Sequence, residues 1–179
     1  MPDAAPILTK QDIAERIERI AQSIKEKCPH RELALVGIHR RGVPLAERVY
    51  ALLKPEIPGL RLGRVDISLY RDDLRSLEMM PKLVGSEIDF DLDGAHVILF
   101  DEVLHTGRTS RAALEELLDH GRPQKVELAT LIDRVGRELP MHADYVGEHV
   151  SIEPSQRIQV HFEEVDGEDA VYVQQGGRR

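Results

Sequence analysis

Asparagine and tryptophan are absent from the 179 residues, and there is one cysteine, Cys28. One thiol excludes a disulfide framework and any multi-cysteine zinc site. Long apolar runs are missing too. The longest, such as Val97 to Phe100, fall far short of the roughly 18 residues a membrane helix needs. The N-terminus has no basic-then-apolar leader pattern, so the cytoplasm is the expected compartment. Aromatic residues make up only 4% of the chain, and neither GxxxxGK[ST] nor GxGxxG occurs, which leaves P-loop and dinucleotide-binding readings without support. The formal charge is −8, which argues against indiscriminate coating of nucleic acid. That charge is unevenly spread: residues 1–50 carry nine Lys/Arg against seven Asp/Glu, so a local basic face remains open.

The length suits one domain, 1–179, with a core large enough to need no covalent staple. Thr9-Lys10-Gln11-Asp12 is a capping signal, and Ile13, Ile17, Ile20 and Ile24 follow at helical spacing up to Cys28-Pro29. Leu33 to Ile38 predicts a strand buried on both faces, and a helix opened by Pro44 and closed near Pro55 comes next. Arg64 to Tyr70 alternates like a half-buried strand. Residues 71–94 show no period and predict a long mobile loop. His96 to Phe100 predicts a strand ending at Asp101-Glu102, Ser110 to His120 a helix closed by Gly121, and Lys125 to Ile132 a strand ending at Asp133-Arg134. Residues 152–173 predict one or two strands around an acidic turn. Alternating strands and helices imply an α/β domain with a mostly parallel central sheet flanked by helices.

Ligands of such sheets bind beyond the carboxyl ends of the strands. Three of these ends carry reactive chemistry: His39-Arg40-Arg41-Gly42, Asp101-Glu102, and Asp133-Arg134. The middle segment, VILFDEVLHTGRTS over 97–110, enters a helix through Thr106-Gly107-Arg108-Thr109-Ser110. A helix N-terminus with a glycine turn and hydroxyls is suited to phosphate. The two carboxylates cannot serve the same phosphate, so they face hydroxyls or a phosphate-bound Mg²⁺. A sugar phosphate satisfies both halves.

That segment resembles the phosphoribosyl pyrophosphate (PRPP) motif of type I phosphoribosyltransferases. LALVGIHRRG, DISLYRDDL, GRP at 121–123, LIDRVGRELPMHADYVG and the late EEVD extend the likeness, and over about 33–166 the chain looks like the PyrR family of uracil phosphoribosyltransferases and pyr-operon attenuators. The resemblance implies a type I phosphoribosyltransferase fold with a small hood formed by about 71–94 and the C-terminal strands. It implies that Asp101 and Glu102 hold the ribose hydroxyls, with Val103, Leu104 and His105 completing the PRPP segment and Thr106 to Ser110 cradling the 5′-phosphate. Arg40 and Arg41 would meet the pyrophosphate together with PRPP-bound Mg²⁺, no metal being ligated by the protein alone. Arg71 would close over PRPP, and Asp133 and Arg134 would lie beside the base. The catalytic set is then Asp101, Glu102, Arg41 and His105, the last as an acid/base or a packing residue. Glu102 stands where the family usually has a second aspartate.

The implied reaction joins uracil to PRPP, giving UMP and pyrophosphate. The implied second role is UMP-dependent binding of pyr leader mRNA, with Arg16, Arg19 and Arg137 as RNA contacts and a homodimer or higher homo-oligomer as the assembly. Glu18 and Gln22 replace the family's common threonine and histidine on the first helix. Two other readings stay open: an RNA-binding regulator with a vestigial nucleotide-sensing site, and a purine phosphoribosyltransferase.

Overall fold

The computed structural model describes residues 5–28, 32–68 and 85–176. Arg71 and most of the expected hood loop therefore lie outside the described residues.

Helix α1 spans Lys10–Lys27 and begins as the capping signal requires: the Thr9 hydroxyl accepts from the Asp12 amide, and the Asp12 carboxylate accepts from the Thr9 amide. Its buried stripe is Ile13, Ile17, Ile20, Ala21 and Ile24. Strand β1, Leu33–Ile38, is buried at every position, as a strand covered on both faces must be. Helix α2 (Gly42–Leu53) leads to β2 (Arg61–Val65), and β3 (His96–Leu104) to α3 (Arg108–Asp119). Two parallel strands follow, β4 (Lys125–Arg134) and β5 (Tyr145–Val150). The chain finishes with a hairpin of β6 (Gln156–His161) and β7 (Ala170–Gln175), with the single-turn α4 (Glu163–Asp166) between them.

The five-stranded sheet has the order β2-β1-β3-β4-β5, and every pairing in it is parallel. One apolar layer lies under α1 and α2, with Ile20, Leu45, Phe100 and Phe162 among its members; a second lies under α3, with Val36, Val97, Ala113 and Leu117. The C-terminal hairpin joins the first layer through Val160, Phe162 and Val171, and Leu8 bridges to Val171.

Three elements differ from the sequence reading. β2 occupies Arg61–Val65, not 64–70, because register with β1 runs from Ala34↔Arg61 to Ile38↔Val65 and stops where β1 stops. β3 continues through the acidic pair to Leu104, paired with β4 at Asp101↔Thr130 and Val103↔Ile132. Residues 85–94 belong to the scaffold: Glu87 bridges Arg64 through two backbone hydrogen bonds, and Leu92 is buried in the second layer.

Two glycines govern how α2 meets the sheet. A Cβ on Gly42 would lie 2.1 Å from the Phe100 carbonyl oxygen, and one on Gly37 2.5 Å from the Val43 Cα. Both obstacles are backbone and cannot move aside, so only glycine allows the first turn of α2 to rest on β1 and β3. Gly42→Ala is expected to cost about 3 kcal/mol of stability, read as a lower urea midpoint with an unchanged slope.

Candidate active site

The chain leaves β1 to one side and β3 to the other, so the switch point of this sheet lies between those two strands. The crevice beyond their carboxyl ends is where an open parallel sheet takes its ligand. There the His39-Arg40-Arg41 loop faces Asp101 and Glu102, because Gly42 is seated on the Phe100–Asp101 backbone.

Asp101 is only 4% exposed, and its Oδ1 accepts from the Glu102 amide at 3.0 Å. Burial, reinforced by the neighbouring Glu102 charge, drives its carboxyl well above the usual range. Glu102 is half-buried. The pair thus places one concealed and one accessible carboxyl at the strand end. The side chains of Val103 and Leu104 pack into the first and second apolar layers respectively.

The turn after β3 is braced from the loop after β4. The Thr106 carbonyl accepts from the amides of Glu138 and Leu139, each at 3.0 Å. Arg108 donates to Glu138 at 2.9 Å. Gly107, at φ +90°, is the N-cap of α3, and a Cβ there would meet the Met141 side chain at 3.0 Å. The positive φ and the neighbouring Met141 both demand glycine. Thr109 and Arg108 are exposed at the open end of α3, whereas Ser110 is buried with its hydroxyl unpartnered.

The strand-end arginines divide. Arg40 is exposed and forms no ion pair among the described residues. Arg41 makes a two-point pair with Asp166 of α4, Nη2 to Oδ1 at 2.6 Å and Nε to Oδ2 at 3.0 Å. Arg48, two turns along α2, likewise grips Glu164 and Asp169. The C-terminal hairpin is thereby tied to the crevice by carboxylates that composition alone did not distinguish. Their signal in the sequence was the acidic turn from Glu163 to Asp169, which includes the EEVD segment.

At the third strand end, Asp133 accepts from Arg137 at 2.6 Å and has His149 at 3.5 Å, while Arg137 also donates to the His105 carbonyl. Arg134 is 6% exposed with its Nε unpartnered, and burial lowers its affinity for a proton. His105 lies against Gly136, where a Cβ would fall 2.7 Å from its Nε2. Burial and the nearby Arg134 charge hold the imidazole below its usual pKa, so it is neutral at pH 7. Arg16 and Arg19 sit elsewhere, on α1 along the β5 edge: Arg16 pairs with Glu148 at 2.9 Å, and Arg19 donates to the Gly147 carbonyl at 2.7 Å.

Residues 4–164 match the family model described as a phosphoribosyl transferase domain. Solved hypoxanthine phosphoribosyltransferases share the architecture: that of Staphylococcus aureus superposes with a TM-score of 0.68 at 18% identity, covering 97% of this chain and 91% of the other. One from Trypanosoma cruzi gives 0.70 at 20%, covering 95% and 94%. The class is therefore a phosphoribosyltransferase-domain protein of the type I fold. Among curated proteins, the bifunctional protein PyrR of Pelotomaculum thermopropionicum is 45% identical over 96% of both chains. That of Deinococcus deserti is 47% identical over 93% of this chain and 92% of its own, and that of Thermus thermophilus 45% over 93% of each. The chain belongs to the PyrR family.

The buried acid gives a test of the site's electrostatics. A carboxyl whose pKa is raised in the folded state loses stability for the fold once pH rises above its unfolded value, and the loss is complete above the folded value. Asp101→Asn removes that penalty. Its melting temperature is expected to exceed that of the parent chain at pH 8, with the gap closing as pH falls toward 4.

Proposed function

We infer that the protein transfers the phosphoribosyl group of PRPP to uracil, releasing pyrophosphate and forming UMP, and that it uses the same nucleotide pocket to control binding of pyr leader RNA. PyrR-family membership over nearly the whole chain carries the reading, and the crevice supplies chemistry suited to it. Asp101 and Glu102 receive the ribose hydroxyls. The amides at the start of α3, with Thr106 and Thr109, take the 5′-phosphate, an anion matched to the positive end of the helix. Arg40 and Arg41 meet the pyrophosphate.

The donor set fits Mg²⁺ carried in by PRPP, since the accessible groups beside the arginines are hard carboxylate oxygens. That ion supplies charge neutralisation of the departing pyrophosphate. The chain's own contribution is electrostatic: guanidinium and helix-terminal donors held in place before reaction lower the cost of charge separation at C1′. Arg41 enters this arrangement by exchanging Asp166 for phosphate oxygens, both being two-point acceptors. Neutral His105, beside Arg134 and Asp133 at the base end, is placed to accept the proton that uracil N1 gives up.

The regulatory half uses Arg16, Arg19 and Arg137. Because each is engaged with Glu148, Gly147 or Asp133, RNA phosphates have to compete with these partners, and binding is expected to weaken steeply with salt. The protein acts in the cytoplasm as a homodimer or higher homo-oligomer.

The deciding experiment is conversion of labelled uracil with PRPP and Mg²⁺, beside guanine, hypoxanthine and orotate. Turnover confined to uracil is expected. Turnover of a purine would overturn the assignment, and tight UMP binding without turnover would leave a sensor alone. Two variants refine it. Arg41→Ala should weaken PRPP binding about tenfold or more, measured by calorimetry. Asp101→Asn, stabilised though it is, should lose turnover by about a hundredfold.

A further inference from the structure

At the opposite end of the sheet, four side chains converge from four separate elements. Cys28 caps α1, His96 opens β3, Glu127 lies near the start of β4, and Tyr145 opens β5. The strand rise puts His96 about 17 Å from Asp101 along β3, so this cluster is not part of the crevice. Glu127 Oε2 is its centre. It lies 2.7 Å from His96 Nε2, 3.0 Å from the Tyr145 hydroxyl and 3.6 Å from the Cys28 sulfur, and that sulfur is 2.9 Å from the Tyr145 hydroxyl. Cys28, His96 and Tyr145 are all buried, and Glu127 nearly so. Lys125, exposed, donates to the other Glu127 oxygen and closes the cluster on the solvent side.

One sulfur, one imidazole nitrogen and one carboxylate oxygen lie within 4.8 Å of one another. Ligand atoms of a tetrahedral zinc are about 3.3 to 3.8 Å apart, so sub-ångström adjustments would complete the set. We propose that Cys28, His96 and Glu127 form a Zn²⁺ site at the amino end of the sheet, with water or the Tyr145 hydroxyl in the fourth position.

Three arguments support it. The donor types select the metal: thiolate and imidazole disfavour Mg²⁺ and Ca²⁺ and suit zinc. Charge closes as well. A thiolate and a carboxylate contribute two negative charges, so one divalent cation makes the buried site neutral, where an unpaired ion would be costly. Thirdly, the donors already converge: Glu127 Oε2 lies 2.7 Å from His96 Nε2 and 3.6 Å from the Cys28 sulfur, so metal binding needs no rearrangement of the elements that carry them.

Metal-free, the same groups satisfy one another by hydrogen bonds, so the fold forms without zinc. On binding, the Cys28 thiol proton passes to solvent and the sulfur pair forms the zinc bond. His96 gives up to solvent the Nε2 proton that it donates to Glu127 in the metal-free state and coordinates through that nitrogen with a proton on Nδ1, and Lys125 swings to water. Because the thiol proton must leave for the zinc bond to form, binding strengthens with rising pH.

Co²⁺ alone, added to the full chain, is the first probe. One equivalent should bind with a near-ultraviolet sulfur-to-cobalt charge-transfer band, and Zn²⁺ should displace it. Cys28→Ser should abolish that band, and His96→Gln should weaken the metal by more than the roughly tenfold typical of losing an outer partner. Because Cys28 is the only thiol in the chain, its alkylation rate in the unmutated protein gives a second readout. Zn²⁺ should slow it, and Mg²⁺ should not. Absence of the band, cobalt binding indifferent to both substitutions, or alkylation unaffected by zinc would each overturn the site.

Discussion

The contact between Gly42 and the Phe100 carbonyl is the constraint on which the rest of the crevice depends. It fixes how closely the first turn of α2, and the loop that leads into it, approaches the end of β3, and therefore how close Arg40 and Arg41 come to Asp101. Parallel strands leave their carboxyl ends side by side, but they do not by themselves bring two loops into one site. Here the absence of a side chain at residues 37 and 42 allows backbone to rest on backbone, and the cationic loop follows. Any larger residue would lift α2 and open the crevice.

Once the loops are brought together, burial and pairing set their charges. Asp101 is shielded and reluctant to ionise, Glu102 is reachable, and Arg41 is held by a carboxylate from the far C-terminal hairpin. A site that keeps its guanidinium paired before substrate arrives avoids exposing an uncompensated cation beside its own strand ends. It also ties the C-terminal hairpin to the loop after β1 through Asp166. Arg48 adds a second attachment of the hairpin, through Glu164 and Asp169. The loop after β4 plays a similar structural part for the turn that enters α3, through the Thr106 carbonyl and the Met141 side chain.

The two ends of the sheet are built on different principles. At the carboxyl end, polar groups are spread around an open crevice and held by partners that can be exchanged. At the amino end, Cys28, His96, Glu127 and Tyr145 saturate one another inside the core. That closed network ties α1 to β3, β4 and β5, which makes it both a structural clasp and a compact set of soft and hard donors.

Much of this architecture was legible in the residues. Thr9 and Asp12 marked the start of α1, the apolar run 33–38 marked a doubly covered strand, and the glycine turn into α3 was readable from Gly107 flanked by hydroxyls. These features are local: capping, strand burial and positive φ act over a few residues, so sequence spacing states them directly. The extent of β2 and of β3 was misread, because strand ends are set by the partner's register and not by alternation within the strand. The packing of 85–94 was missed for the same reason: its order comes from Arg64 and a distant apolar layer. The partners of the functional residues were beyond reach altogether. Arg41 meets Asp166 across 125 positions and Cys28 meets Glu127 across 99, and no period or motif encodes such a meeting. The sequence alone determined which groups could do chemistry and on which elements they lie. The tertiary structure decided which of them touch, how deeply they are buried and so how they are charged, because contact and dielectric environment exist only after the chain has closed on itself.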